Sequence, residues 1–297
     1  MTEKNRPAAG VPPFEEGAAE PPKKPRVRKP FPSANDLFAM FGIVLGMQIA
    51  VSLAVSFVLL VLGVETDAAE PLQQGRRMAA IYLLAMTAAY FMVLWYRRMR
   101  GGSGSLGRFS VRGLNPMLLL WAFVLMLAAG IVCEPLLSLL PAVKEYEFGR
   151  GGWALVTLVV AAPVLEELLC RGVVLESLRA RYGAATAWAV SSFFFGALHL
   201  QPVLVVNAFV IGLILGYIYI VADSLWATII LHALNNAVAY LLLLTGYGDA
   251  TLAGLVGDRT IYWIVYAGAA AVTMLSAWMV WRTLRRLGSG RKNEDAA

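Results

Sequence analysis

A chain of 297 residues that is 59% hydrophobic and only 15% charged cannot dress a core of its size with a polar shell, which excludes an ordinary soluble globule. Mean hydropathy is +0.67, and the apolar residues fall in long blocks, the pattern of membrane spans. The net charge of +6 gathers beside those blocks without a basic, aromatic-interleaved groove, so the expected partners are membrane lipids and not nucleic acid.

From the N-terminus, residues 1–34 are rich in Pro, Glu, Ala and Lys and are expected to form a disordered tail ending in a basic cluster (Lys23, Lys24, Arg26, Arg28, Lys29). The tail lacks the apolar core and cleavage site of a signal peptide, so the first span is expected to serve as the insertion signal. Eight apolar segments follow, at roughly 36–64, 78–96, 116–140, 152–170, 184–200, 202–222, 224–245 and 260–281. Most reach the ~20 residues that a helix needs to cross ~30 Å of hydrocarbon. None alternates in the two-residue rhythm of a barrel strand. The expected fold is all-α: a polytopic transmembrane helical bundle of about eight spans over residues 35–285, followed by a polar tail at 286–297.

Charge sets an expected orientation. Arg97, Arg98, Arg100, Arg108 and Arg112 follow the second segment, Arg171, Arg179 and Arg181 follow the fourth, and Arg282, Arg285, Arg286, Arg291 and Lys292 follow the last. The alternate loops carry Glu65, Asp67 and Glu70, then a mixed 144–150 segment, then Asp249 and Asp258. An even number of spans with both termini cytoplasmic fits this alternation, in the plasma (inner) membrane if the source is bacterial. Cys133 and Cys170 lie in or beside apolar blocks and read as packing residues. Gly212 and Gly216 form a small-xxx-small pair suited to close helix packing.

Charged side chains near the bilayer centre cost about 2.5–3.5 kcal/mol each and need a reason to be there. The run from Pro163 to Arg171 holds Glu166, Glu167 and Arg171. Glu167 and Arg171 stand four apart in the favourable acid-before-base order and can pair. Glu166 points about 100° away and is free to face another cavity. The plainer alternative is an interfacial cluster in which all three snorkel to headgroups. His199 and His232 are the only histidines, and both sit in apolar segments. Phe195 precedes His199 by four residues, and Asn236 follows His232 by four, so each pair shares a helix face. Interhelical hydrogen bonding is the plainer role for a single such histidine.

Glu166-Glu167-x-x-x-Arg171, Phe195-x-x-x-His199 and His232-x-x-x-Asn236, each on its own apolar segment, resemble the three-motif pattern of the CPBP family, which comprises CaaX prenyl endopeptidases and bacteriocin-processing or Abi-type membrane proteins. The resemblance covers about 152–245. It implies a membrane-embedded endopeptidase in which Glu166 acts as general base with His199 on a water molecule. It further implies that His232 and Asn236 donate to the oxyanion, and that Glu167 and Arg171 brace the first motif, with Phe195 as a supporting residue. Peptide hydrolysis does need an activated nucleophile and stabilised negative charge. The implied substrate is a peptide or a lipidated protein.

Other readings use the same residues. Glu166, His199 and His232 are a possible zinc ligand set, but no H-E-x-x-H helix is present, and a metal-free mechanism with no cofactor is favoured. A proton-coupled transporter would also hold intramembrane Glu and His, although no internal repeat is visible. A non-catalytic membrane scaffold is the third alternative. Counting residues also sets a difficulty: Glu166 falls toward the cytoplasmic side, and His199 toward the opposite end of the next span. For them to meet, the fourth span must be long and tilted, or the fifth short or re-entrant.

Overall fold

A computed structural model describes residues 30–64, 71–102, 104–141, 151–248 and 250–294. The expected tail (residues 1–29), the acidic loop 65–70, the 144–150 segment and Asp249 lie outside the described residues. The described residues form α1 (Ala34–Val61), α2 (Pro71–Met99), α3 (Pro116–Leu137), α4 (Gly152–Tyr182), α5 (Ala184–Ala197), α6 (Pro202–Ala222), α7 (Leu225–Leu244), α8 (Leu252–Val256) and α9 (Arg259–Glu294). Seven are long and apolar enough to cross a membrane, and α5 is a shorter apolar helix. The protein is an integral, multi-pass membrane protein, and its eight apolar helices fall where the eight apolar segments do.

Local chemistry sets the helix starts. Ser33 and Asp36 form a capping box, with each side chain bonded to the other's backbone N–H. Asn115 accepts from the backbone N–H groups of Met117 and Leu118, with Pro116 at the first helical position. Gly183, at φ 82°, breaks the chain between α4 and α5 in a conformation that suits only glycine.

Two boundaries differ from the sequence expectation. The fourth span does not end at residue 170 but runs on to Tyr182, because Arg171 is neutralised inside the protein and needs no loop. The fifth ends at Ala197, sooner than expected.

The long helices pack antiparallel, and polar contacts show which ends meet. Asp36 at the start of α1 pairs with Arg100 after α2 (2.7 Å) and accepts from Tyr96. Arg181 near the end of α4 donates to the carbonyl oxygens of Pro30 and Pro32 just before α1. Arg179 reaches Asp223, between α6 and α7, at 2.8 Å. Leu118 of α3 and Leu284 of α9 belong to one buried cluster. The starts of α1, α3, α5 and α7 and the ends of α2, α4, α6 and α9 therefore share one end of the molecule, the basic one. Only 6% of the most apolar window of α1 is buried, against 39% for α4, so α1 is a lipid-facing helix and α4 a central one.

A short strap, residues 104–113, ties the basic end together. Gly107 donates to the Gly172 carbonyl, and Leu225 donates to the Arg108 carbonyl. A Cβ on Gly107 would come within 2.7 Å of Gly172 Cα, so only glycine lets the strap lie this close to α4. Tyr219 donates to Glu176 (2.8 Å) and accepts from Arg108 N–H, which links α4, α6 and the strap.

Candidate active site

The site is built on α4, whose helix is wide in two places. Val156–Ala161 and Leu168–Leu175 follow the five-residue hydrogen-bond register, and the α-helical turn between them carries Glu166 and Glu167. Pro163 gives the first widening a cause, since it has no N–H to donate. Counting five residues back, the carbonyl it leaves without a partner is that of Leu158. Asn236 of α7 takes that carbonyl through Nδ2 at 2.9 Å. The second widened turn also bonds outward, through Gly172 and the strap.

Glu167 and Arg171 form the pair that their spacing predicts. Arg171 Nη1 donates to Glu167 Oε1 at 2.7 Å, and both side chains are buried, at 1% and 0% exposure. Arg171 also donates through Nη2 to the Gly212 carbonyl (3.1 Å) and lies 4.7 Å above the Phe195 ring. A guanidinium with two acceptors and an aromatic face is held in place and not snorkelling. Gly212 is needed for this geometry, because a Cβ there would press to 3.2 Å from Phe195 and Ser192.

His232, also buried, lies between the two carboxylates. Its Nδ1 stands 3.2 Å from Glu167 Oε1, and its Nε2 stands 3.7 Å from Glu166 Oε2. A carboxylate only accepts, so the Glu167 contact places a proton on Nδ1 and turns Nε2 toward Glu166. Two groups 3.7 Å apart are too far for a direct bond and close enough to share one water molecule. The Glu166 side chain keeps 16% exposure, unlike its sealed neighbour.

His199 reaches this level because of helix lengths. From Glu166 to the end of α4 the chain climbs about 24 Å, and from the start of α5 to His199 it returns about 22 Å. Both options left by residue counting hold together: the fourth span is long and the fifth is short. The His199 ring packs edge-on against Phe195 at 5.1 Å, and Phe195 packs edge-on against His232 at 5.4 Å. Phe195 is thus the wall between the two imidazoles. His199 Nδ1 bonds to the Phe195 carbonyl at 3.0 Å, which places the proton there and leaves Nε2 with a lone pair. The turn after His199 is strained: Leu200 sits at φ 61°, spanned by a bond from Gln201 N–H to the His199 carbonyl.

The seven residues singled out from the sequence therefore gather around one level of α4, with one departure in pairing. The imidazole facing Glu166 is that of His232, while His199 stands across Phe195. Among the described residues no group of three or more His, Cys, Asp or Glu is placed to hold a metal ion, so Glu166, His199 and His232 do not fit a zinc site. One partner went unread in the sequence: Tyr82 of α2 donates to Glu166 Oε1 at 2.6 Å. It is one tyrosine among 11, without a motif around it, and only the packing of α2 on α4 selects it.

Residues 149–238 match the family model described as type II CAAX prenyl endopeptidase Rce1-like. This region is Rce1-like. The match agrees with the CPBP resemblance carried by the three motifs, and it covers less than a third of the chain. No curated protein and no solved structure matches the chain. The Rce1-like region runs from α4 into α7 and contains Glu166, Glu167, Arg171, Phe195, His199, His232 and Asn236. Tyr82 lies outside it.

Proposed function

We propose that the protein is a membrane-embedded endopeptidase of the CAAX-protease kind, hydrolysing a peptide bond in a peptide or lipidated protein substrate. The observation that carries the reading is the partly exposed Glu166 carboxylate, whose Oε2 stands 3.7 Å from His232 Nε2, close enough for one water beside them to bond to both. Glu166 takes a proton from that water as its oxygen attacks the substrate carbonyl. The proton then passes to the departing amine as the carbon–nitrogen bond breaks. His199, across Phe195, keeps its Nε2 lone pair as a further proton acceptor beside the site.

The oxyanion needs donors. His232, oriented through Nδ1 by Glu167, turns Nε2 toward the site as one of them. Asn236 has two amide hydrogens, one committed to Leu158, and the other is available to the same oxygen. Glu167 acts through His232, fixing its orientation as the acidic partner of an active-site histidine does.

The test is hydrolysis of prenylated and unprenylated reporter peptides by the purified protein. Wild type and Glu166→Gln are compared, each with and without a strong chelator. Cleavage by wild type, resistant to the chelator and reduced about 10²–10⁴-fold in the variant, supports the reading. Cleavage retained in Glu166→Gln overturns the assignment of the base, and chelator sensitivity overturns the metal-free mechanism.

A further inference from the structure

We propose that Tyr82, on a helix outside the Rce1-like region, is a positioning residue for hydrolysis: it holds Glu166 Oε1 so that Oε2 alone is presented to water and His232. The inference deepens the proposed function and rests on it. The hydroxyl-to-carboxylate distance is 2.6 Å, within the 2.5–2.7 Å range of a hydroxyl donating to an ionised oxygen. The two oxygens of Glu166 thus have different tasks, one capped by Tyr82 and the other facing His232 Nε2 at 3.7 Å. Without the cap, rotation about the last side-chain bond exchanges the oxygens. A small swing also lets the carboxylate close the gap and bond directly to His232, which removes the place for water. Glu166 has a neutralising partner at neither neighbour on its own helix, because Arg171 is spent on Glu167.

Tyr82→Phe keeps the ring and removes only the donor. The expected result with reporter peptides is a fall in kcat of about tenfold to a hundredfold, the scale of one hydrogen bond to a charged group, with KM within twofold of wild type. Packing alone predicts the opposite split, with kcat held and thermal stability lowered, and that result overturns the proposal. Coupling gives a second check: in a Glu166→Asp background the shortened carboxylate no longer reaches the hydroxyl, so Tyr82→Phe lowers the residual kcat no further.

A measurement that needs no turnover separates this proposal from the function on which it rests. In protein labelled with carboxyl-13C glutamate, the infrared difference between wild type and Glu166→Gln isolates the Glu166 carboxylate band. That band shifts in Tyr82→Phe if the hydrogen bond holds the carboxylate. An unmoved band overturns the proposal, whether or not any peptide is cleaved.

Discussion

The energetics at the scale of single residues centre on Arg171. Its guanidinium is sealed, and its partner Glu167 has no exposure at all. Breaking such a pair from one side strands a buried charge, which costs about 3–5 kcal/mol. Arg171→Met is therefore expected to lower the unfolding temperature in detergent sharply. Glu167→Gln with Arg171→Met should regain much of that loss without regaining activity, since His232 then loses its ionised partner. A double variant as unstable as Arg171→Met alone would show that the pair is not the source of the stability. Much of this was legible in the sequence, because four-residue spacing on a helix is a local property. Glu167–Arg171, Phe195–His199 and His232–Asn236 could each be placed on a face from spacing alone. Tyr82 could not, nor the turning of His232 rather than His199 toward Glu166, because both depend on how separate helices dock.

Two features decide the geometry among helices. One is the proline-linked widening of α4. Asn236 takes the carbonyl that Pro163 cannot serve, so this side chain has a structural task beside its proposed chemical one. Asn236→Ala is expected to lose about 1 kcal/mol of stability as well as activity. In a Pro163→Ala background the helix regains its own donor, and the stability cost of Asn236→Ala should shrink while the activity loss stays. An unchanged stability cost would separate Asn236 from the widened turn. The sequence displays Pro163 but not the five-residue register around it, because a proline in an apolar helix is answered by a kink or by a widening according to its neighbours.

The other feature is the α5–α6 hairpin, where glycines permit close approach. A Cβ on Gly196 would stand 2.7 Å from the Val205 carbonyl oxygen, which belongs to backbone and cannot turn aside. Gly196→Ala should push the hairpin apart, lowering both thermal stability and peptide cleavage. Gly130→Ala in α3 meets nothing within 4 Å and should be neutral or stabilising by up to about 1 kcal/mol. Equal thermal shifts in the two variants would refute a role for close hairpin packing.

For the whole molecule, the expected alternation of charge has a geometric counterpart. The described arginines after α2, on the last turns of α4 and at the end of α9 all lie at the end where α1 begins. We propose that this end is cytoplasmic. Tags at the two termini should then be labelled from the same face of sealed inside-out vesicles, and labelling from opposite faces would sink that topology. The tail can be tested with it. Removing residues 1–29 should leave the detergent unfolding temperature within about a degree. Removing 1–33 also takes the Ser33 cap and the Pro30 and Pro32 acceptors of Arg181, and should cost about 1 kcal/mol or more. The sequence resolved the membrane class and all eight apolar helices, because both follow from apolar run length. It could not show that α4 and α5 differ so much in length, since charges paired inside the protein look on paper like charges in a loop.

The shortness of α5 has a consequence for the surrounding lipid. Phe193 and Leu200, near the turn of the hairpin, are both more than half exposed, apolar surface that the protein itself does not cover. A wall about 22 Å tall beside hydrocarbon about 30 Å thick is a hydrophobic mismatch, and the leaflet relieves it by thinning or by tilting its chains. We expect the bilayer to be shallowest beside the strained turn that carries His199. There the dry distance that a water molecule or an extended peptide must cross to reach Glu166 is at its least.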